Sequence, residues 1–493
     1  MIASLSEHFG QLTGYPEWLF IVGFKVLIVA LVFLPAISVL AMMCIWAERK
    51  IAGHIQSRIG PKHVGPFGLL QSLADGAKLL VKEDLIPASA DQVLFRLAPY
   101  LAFSPVFVAF LALPFGPQFV FEAGLNVGVL YLLAVLGLEV MGTILSGWAS
   151  NSKWAIYGGM REACQIVSYE IPLGIAILCG VMVAGTMNLV DLNYLQGGGI
   201  QTWLAFHNPF IFLAFFIYFV ASLASAKRAP FDLPESESEL VAGFHTEYSG
   251  LRWSFFFFAE YAGMFVIGCI QAILFLGGWN SPLGSWDPIY QLLGYDPVYV
   301  GQQFLTGAST FSGTWEHIAV AMTPDPNAGL LGGAMGLFVL NAYGAFWVIT
   351  KALVVIGLHM WIRWTLPRIR IDQVLHGCIK GLLPASLAMF VGVMIWLYLL
   401  PPTMNGAFAH GSTNLANLTG DGPLLQSITK WILTLIGIVL FAFYAAVMLG
   451  AQIMRKHGPR KGIFQDVMPV GNEVHFTRGP EYVPDEDRSL VKD

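Results

Sequence analysis

The stretch LFIVGFKVLIVALVFLPAISVLAMMCIWA, Leu19–Ala47, carries a single charge, Lys25. As a helix rising 1.5 Å per residue it is about 43 Å long. That exceeds the roughly 30 Å hydrocarbon core of a bilayer, so it must tilt or protrude. Apolar residues in blocks of this length, rather than in amphipathic periods, place the chain in a membrane. Composition agrees: the 493 residues are 56% hydrophobic and 12% charged, with 36 Phe, 14 Trp and a mean hydropathy of +0.66. Nothing upstream of the block is basic and Glu7 is acidic, so it is not expected to be a cleaved signal peptide.

Nine blocks can cross a bilayer: roughly 18–47, 93–116, 127–149, 163–186, 207–226, 253–279, 334–362, 381–400 and 429–452. The predicted fold is therefore an all-α polytopic membrane protein with about nine transmembrane helices. The stretches 1–17, 117–126, 187–206, 280–333 and 401–428 hold no Lys or Arg. The alternate ones hold Arg49, Lys50, Arg58, Lys62, Lys78, Lys82, Lys153, Arg161, Lys227, Arg228, Arg252, Arg363, Arg368, Arg370 and Lys380, and Arg455, Lys456, Arg460 and Lys461 follow the last block. The positive-inside rule puts the N-terminus outside and the C-terminus on the cytoplasmic or matrix side, as an odd span count requires.

Other chemistries are excluded. Cys44, Cys164, Cys179, Cys269 and Cys378 are scattered singly, whereas iron–sulfur and zinc sites need closely spaced ligands. There is no phosphate-cradling glycine loop, and a net charge of −5 does not suggest nucleic acid. His54, His63 and His245 show no ligand spacing.

The inward segments are the informative ones. In AERKIAGHIQSRIGPKHVGPFGLLQSLADGAKLLVKEDLIP, residues 47–87, Leu70, Leu73, Ala77 and Leu80 would share one helix face, with Gln71, Asp75, Lys78 and Lys82 opposite. This predicts an amphipathic interfacial helix with its polar side toward protein. Within the blocks, Glu139, Glu170, Glu260 and Lys351 are ionisable, and a lone charge at a span centre costs roughly 2.5–3.5 kcal/mol. Burial moves a carboxylate toward proton exchange near neutrality. Glu170 is the foremost candidate, because Pro172 frees a backbone carbonyl beside it. Glu260 lies nearest an inward end and can reach the interface. The inward loop RAPFDLPESESELVAGFHTEYSG, Arg228–Gly250, holds Asp232, Glu235, Glu237, Glu239 and Glu247. Were it helical, Glu235 and Glu239 would share a face.

Four stretches carry a family resemblance: the 47–80 segment, GWASNSKWAIYGGMREACQIVSYE, RAPFDLPESESELVAGFHTEYSG and RWTLPRIRIDQ. Over residues 18–400 the chain resembles the quinone-site membrane subunits of respiratory complex I, the proton-pumping NADH:quinone oxidoreductase. The resemblance implies an eight-helix core, 1–400, forming a quinone chamber with ordered cytoplasmic loops. An outward loop with an added helix, 401–452, and a cytoplasmic tail, 453–493, would follow. It implies Glu48, Arg49, Arg58, Asp75, Arg228, Phe231, Asp232, Phe244, Arg368 and Arg370 at the chamber. It further implies a proton path through Glu170, Glu235, Glu237, Glu239 and Glu247, with Arg161 pairing one of these acids. Glu139 has no anchor in the family pattern and joins the path on membrane burial alone.

Quinone would be the substrate, with FMN, NADH and iron–sulfur clusters in partner subunits and no metal here. The implied partners are peripheral quinone-site and iron–sulfur subunits, small membrane subunits and antiporter-like subunits, in a bacterial inner membrane. The isolated chain, lacking an electron cofactor, would be inactive. The family has Ala-Glu, any residue, Asn, Arg before Pro-Phe-Asp, where ASAKRAPFD here has Ser225 and Lys227. The competing readings are the homologous membrane subunit of energy-converting hydrogenases and, from another class, a secondary transporter, whose paired interrupted helices are not found.

Overall fold

A computed structural model describes residues 29–117, 119–121, 125–293, 295–298, 334–399 and 431–440, with isolated positions at 23, 26, 27, 428, 429, 442, 443 and 446. The expected outward loop with residues 401–427, the tail 453–493 and residues 301–333 lie outside the described residues. The chain divides into two units, Met1–Gly437 and Ile438–Asp493, and every helix up to Leu399 belongs to the first.

Among the described residues all regular structure is helical. Seven helices are long and apolar enough to cross a membrane. They are α1 (Leu34–Ile55, entered through a π turn at Val29–Phe33), α3 (Gln92–Phe110), α4 (Gly128–Ala149), α5 (Lys153–Ala184), α9 (Gly250–Phe275), α11 (Ala334–Thr365) and α13 (Leu383–Leu399). The last is continuous with α12 (Ile371–Gly377) through a π turn at Cys378–Leu382. Two shorter apolar helices, α7 (Pro209–Ser225) and α14 (Trp431–Leu440), fall in the remaining predicted blocks. Short helices α2 (Gln71–Val81), α6 (Leu189–Tyr194), α8 (Glu237–Leu240) and α10 (Pro288–Leu293) occupy the connections.

Several helices run past the apolar blocks that announce them. α5 begins at Lys153, ten residues before its block, and its 32 residues span about 48 Å. α1 continues through Glu48 and Arg49 to Ile55. The inward charges therefore sit on rigid helix extensions as well as on loops.

α9 is the central helix. Every residue from Ala259 to Phe275 is buried, as expected of a helix apolar on all sides. Elsewhere apolar side chains such as Val39, Met43, Leu138, Met141, Val391 and Ile395 are exposed, which in a bilayer is the stable arrangement. Close helix contacts use small residues: a Cβ on Gly142 of α4 would lie 2.4 Å from the Ala102 nitrogen of α3. Asp91 caps α3 by accepting from the Val93 and Leu94 amides.

α5 remains continuous across Pro172. The proline has no N–H for the Ser168 carbonyl, and the Cys378 thiol of the π turn donates to that oxygen instead. Lys351 of α11 is also accounted for. It lies at the C-terminal end of α9 and donates to the Gly278 and Asn280 carbonyls at 2.9 and 2.7 Å, under the Trp203 ring. A cation there meets the negative end of the α9 dipole.

Candidate functional site

α7 ends where the loop Arg228–Gly250 begins. The Lys227 amide donates to the Ala224 carbonyl and the Arg228 amide to Leu223, the paired bonds of a Schellman helix end. Glycine normally takes the left-handed position of that turn. Lys227 takes it here with φ +53°, at a cost of roughly 1–2 kcal/mol. The turn aims two successive cations, both buried, into the helix bundle.

Arg228 lies between Glu48 of α1 (Nη1–Oε2 3.4 Å) and Glu260 of α9 (Nη2–Oε1 3.1 Å), over the Tyr261 ring. Glu48 is held from its other side by Arg363 of α11 at 2.5 Å. Lys227 lies 3.1 Å from Glu162 of α5 and 3.9 Å from Glu139 of α4, with the Phe244 ring beneath it. Burial opposes the Lys227 charge, but Glu162 and Glu139 outweigh it and hold its pKa above the ordinary value. Side chains of five helices, α1, α4, α5, α9 and α11, thus meet the two cations at the end of α7 in one cluster of buried charge. Such a cluster is a poor source of net stability, because desolvation of each ion offsets most of the attraction. Among the described residues Arg228 Nε and Glu162 Oε2 are buried without a hydrogen-bond partner, which leaves places for a polar group to enter.

The acidic loop folds back over this cluster. Gly243, at φ +59°, admits no side chain, since a Cβ would lie 1.6 Å from the Pro234 carbonyl oxygen. A Cβ on Gly158 of α5 would lie 2.5 Å from the Phe244 amide, so α5 and the loop touch backbone to backbone. The expected shared face of Glu235 and Glu239 is not formed. Pro234 precedes them and α8 is a single turn starting at Glu237, so the two acids point into different surroundings.

Glu235 faces His245 at 3.9 Å. Burial first, then Glu260 and Asp232, push its carboxyl well above the ordinary range. His245 is pushed down to about 4 by burial and by the Lys227 charge. Glu239 is exposed and bonded by Arg161 at 2.7 Å, with Arg368 at 3.0 Å; the Arg161 bond first holds its pKa below the ordinary value. Arg368 also donates to Ser236. The side chain of Glu237 lies outside the described residues.

The other predicted residues are distributed as follows. Phe231 and Phe244 are buried, Phe231 with its ring 5.2 Å from Tyr169. Asp232 and Glu247 are half-buried on the loop. Arg49 pairs with Asp75 of α2 at 2.5 Å, while Leu70, Leu73 and Leu80 of that segment are exposed. Of the predicted polar face, Gln71 and Asp75 turn toward protein, while Lys78 and Lys82 are exposed. Arg58 lines an open pocket of about 660 Å³ with Arg49, Lys62 and His63. Arg370 is exposed and stands before α12, its amide donating to Gln373. Glu170 lies apart from the ion cluster, beside Gly137 of α4.

Three members were not singled out for this role from sequence. Glu162 follows Arg161 in a polar run; Arg363 counts only among the inward basic residues; Glu260 reads as lying nearest an inward end and able to reach the interface. The one available signal was that Lys227, departing from the family pattern, needed an acid.

A family model described as NADH dehydrogenase matches residues 27–394. The H subunit of the NADH-quinone oxidoreductase of Chlorobium luteolum is 43% identical over 401 residues, covering 81% of this chain and 95% of that protein. Its counterpart of the same name in Anaeromyxobacter dehalogenans is 40% identical, covering 79% and 85%. A second-copy counterpart in Rhizobium meliloti is 39% identical, covering 75% and 95%. These relatives do not favour the hydrogenase or transporter readings.

Proposed function

The chain belongs to the NADH dehydrogenase family and is a membrane subunit of NADH–quinone oxidoreductase; from that premise we propose that its inward cluster forms the membrane side of the quinone site and starts a proton path. The observation that carries this reading is the buried set Glu48–Arg228–Glu260, joined to Arg363 and lying beside Lys227 with its two acids. A quinone site needs apolar walls for the tail and a few polar groups for the head. Phe231, Phe244 and Tyr261 are apolar or aromatic neighbours of these charges.

Electrons would come from flavin and iron–sulfur clusters in peripheral partner subunits. Reduction of quinone to quinol requires two protons and two electrons. Negative charge appearing near Arg228 competes with Glu48 and Glu260 for the guanidinium. Each acid that loses part of its cation becomes a better proton acceptor, and acids this close titrate together. Glu235, whose carboxyl burial holds well above the ordinary range, is placed to exchange a proton in response. Glu239, Arg161 and Arg368 form the loop's outer contact, and Glu170 receives the change within the membrane. The setting is an energy-coupling membrane, in bacteria the inner membrane, with the C-terminus cytoplasmic.

The test is Glu170→Gln and Glu239→Gln in membranes carrying the assembled complex. Each should lower coupled quinone reduction by on the order of a hundredfold or more. Assembled variants with wild-type reduction and proton translocation would overturn the reading.

A further inference from the structure

Two small cavities lie between the helices, and one polar residue, Ser225, lines both. The first, about 20 Å³, is bordered by Glu139, Lys227, Glu260, Gly263 and Ser225. The second, about 30 Å³, is bordered by Glu170, Tyr169, Tyr218 and again Ser225. A cavity needs roughly 10–15 Å³ and two to four polar partners to hold a water. Each of these is large enough for one, and the first offers two carboxylates, an ammonium and a hydroxyl. Leu136, Val140 and Ile267 also line both cavities, so what separates them is otherwise apolar. The two tyrosines of the second are committed elsewhere, Tyr169 to the Val374 carbonyl and Tyr218 to the Ile267 carbonyl. Among the described residues the Ser225 hydroxyl makes no direct hydrogen bond, whereas Ser222 one turn earlier bonds the Phe219 carbonyl.

We propose that Ser225 is a proton relay: its hydroxyl, with one water on each side, connects the Glu139–Lys227–Glu260 cavity to Glu170. The step is balanced. A protonated carboxyl of the first cavity gives its proton to that cavity's water. Ser225 accepts a proton from this water while giving its own to the water of the second cavity. That water protonates the Glu170 carboxylate, and no charge stays on the serine. Carboxylates separated by apolar side chains cannot exchange protons directly, so the link depends on the hydroxyl. A role for Glu139, left without an anchor by the sequence, follows: with Glu260 it supplies the acid at the entry to the relay.

This inference rests on the reading of Glu170 as part of the proton path, and the experiment separates the two. Ser225→Thr and Ser225→Val add the same volume and differ by one hydroxyl. In the assembled complex in inverted vesicles, the Thr variant should keep proton translocation within about twofold of wild type. The Val variant should lose on the order of tenfold or more, with unchanged complex content. Equal rates in the two, whether high or low, overturn the relay. Glu170→Gln is measured alongside. A wild-type rate in that variant sinks the underlying reading, whereas its loss together with equal Thr and Val rates sinks the relay alone.

Discussion

Lys227 is the residue on which the site's electrostatics turn. It occupies a left-handed helix end that favours glycine, and it is the cation between Glu139 and Glu162. Lys227→Met would leave two acids buried without that charge, a loss of about 3 kcal/mol or more. The solubilised complex should disassemble at a lower temperature, and adding Glu139→Gln with Glu162→Gln should recover much of the loss. An unchanged disassembly temperature in the single variant would contradict the assignment. His245 gives a pH test with a definite sign. Its pKa falls from the ordinary 6.5 to about 4 in the folded chain, so the native state binds the proton less well than the unfolded one. The stability is intact above pH 6.5 and is lost as pH falls toward 4. Between pH 7.5 and 5 that amounts to about 2 kcal/mol. His245→Gln removes this component, so its disassembly temperature should fall less than wild type over the same interval. Parallel curves would show that His245 is not buried as described. At this scale the sequence was only partly legible. Individual ionisable residues within apolar blocks stood out, but pairing depends on which helices meet. Glu162, adjacent to Arg161 in a polar run, gives no sign of burial until α4 and the end of α7 close over it.

Among the elements, α5 carries the contact on which the acidic loop depends. Gly158→Ala would drive a Cβ to 2.5 Å from the Phe244 amide, against backbone that cannot swing aside as a side chain would. Gly174, on the same helix, has nothing within 4 Å of its added Cβ. Overpacking of the first kind costs typically about 1–3 kcal/mol, and here it would move the loop bearing Glu235 and Glu239. Gly158→Ala should therefore lower quinone reduction several-fold, whereas Gly174→Ala should leave it near wild type. Equal rates in the two would mean that the loop does not need this close approach. Helix existence was legible from apolar blocks, because a bilayer enforces long runs. Helix ends were not, because beyond the hydrocarbon a helix can continue on polar residues. Lys153–Glu162 reads as a loop and is nearly the first three turns of α5. The reverse error occurred in the acidic loop, where a possible shared helical face gave way to one turn. Pro234 and the left-handed Gly243 interrupt what the spacing of acids alone suggested.

At the scale of the whole molecule, the distribution of Lys and Arg makes the strongest prediction. Every long stretch assigned outward lacks both, and the ion cluster gathers at the other end, where Glu48, Arg228 and Arg363 meet. Nine crossings together with the charge rule would put the C-terminal tail, with Arg455, Lys456, Arg460 and Lys461, on the cytoplasmic side. The structure describes only Trp431–Leu440 continuously in the ninth block, about 15 Å of helix, which is half a bilayer. A topology test therefore bears on the count directly. Alkaline phosphatase, active only outside, and a green fluorescent protein, fluorescent only inside, are fused in turn after residue 426 and after Asp493. Nine crossings predict active phosphatase at 426 and fluorescence at 493. Active phosphatase at both would reduce the count to eight and put the basic tail outside, against the charge rule. Fluorescence at 426 would reverse the eight-helix core and place the Glu48–Arg228 cluster on the side away from peripheral electron donors. Fluorescence at 493 with active phosphatase at 426 leaves the quinone site facing those donors.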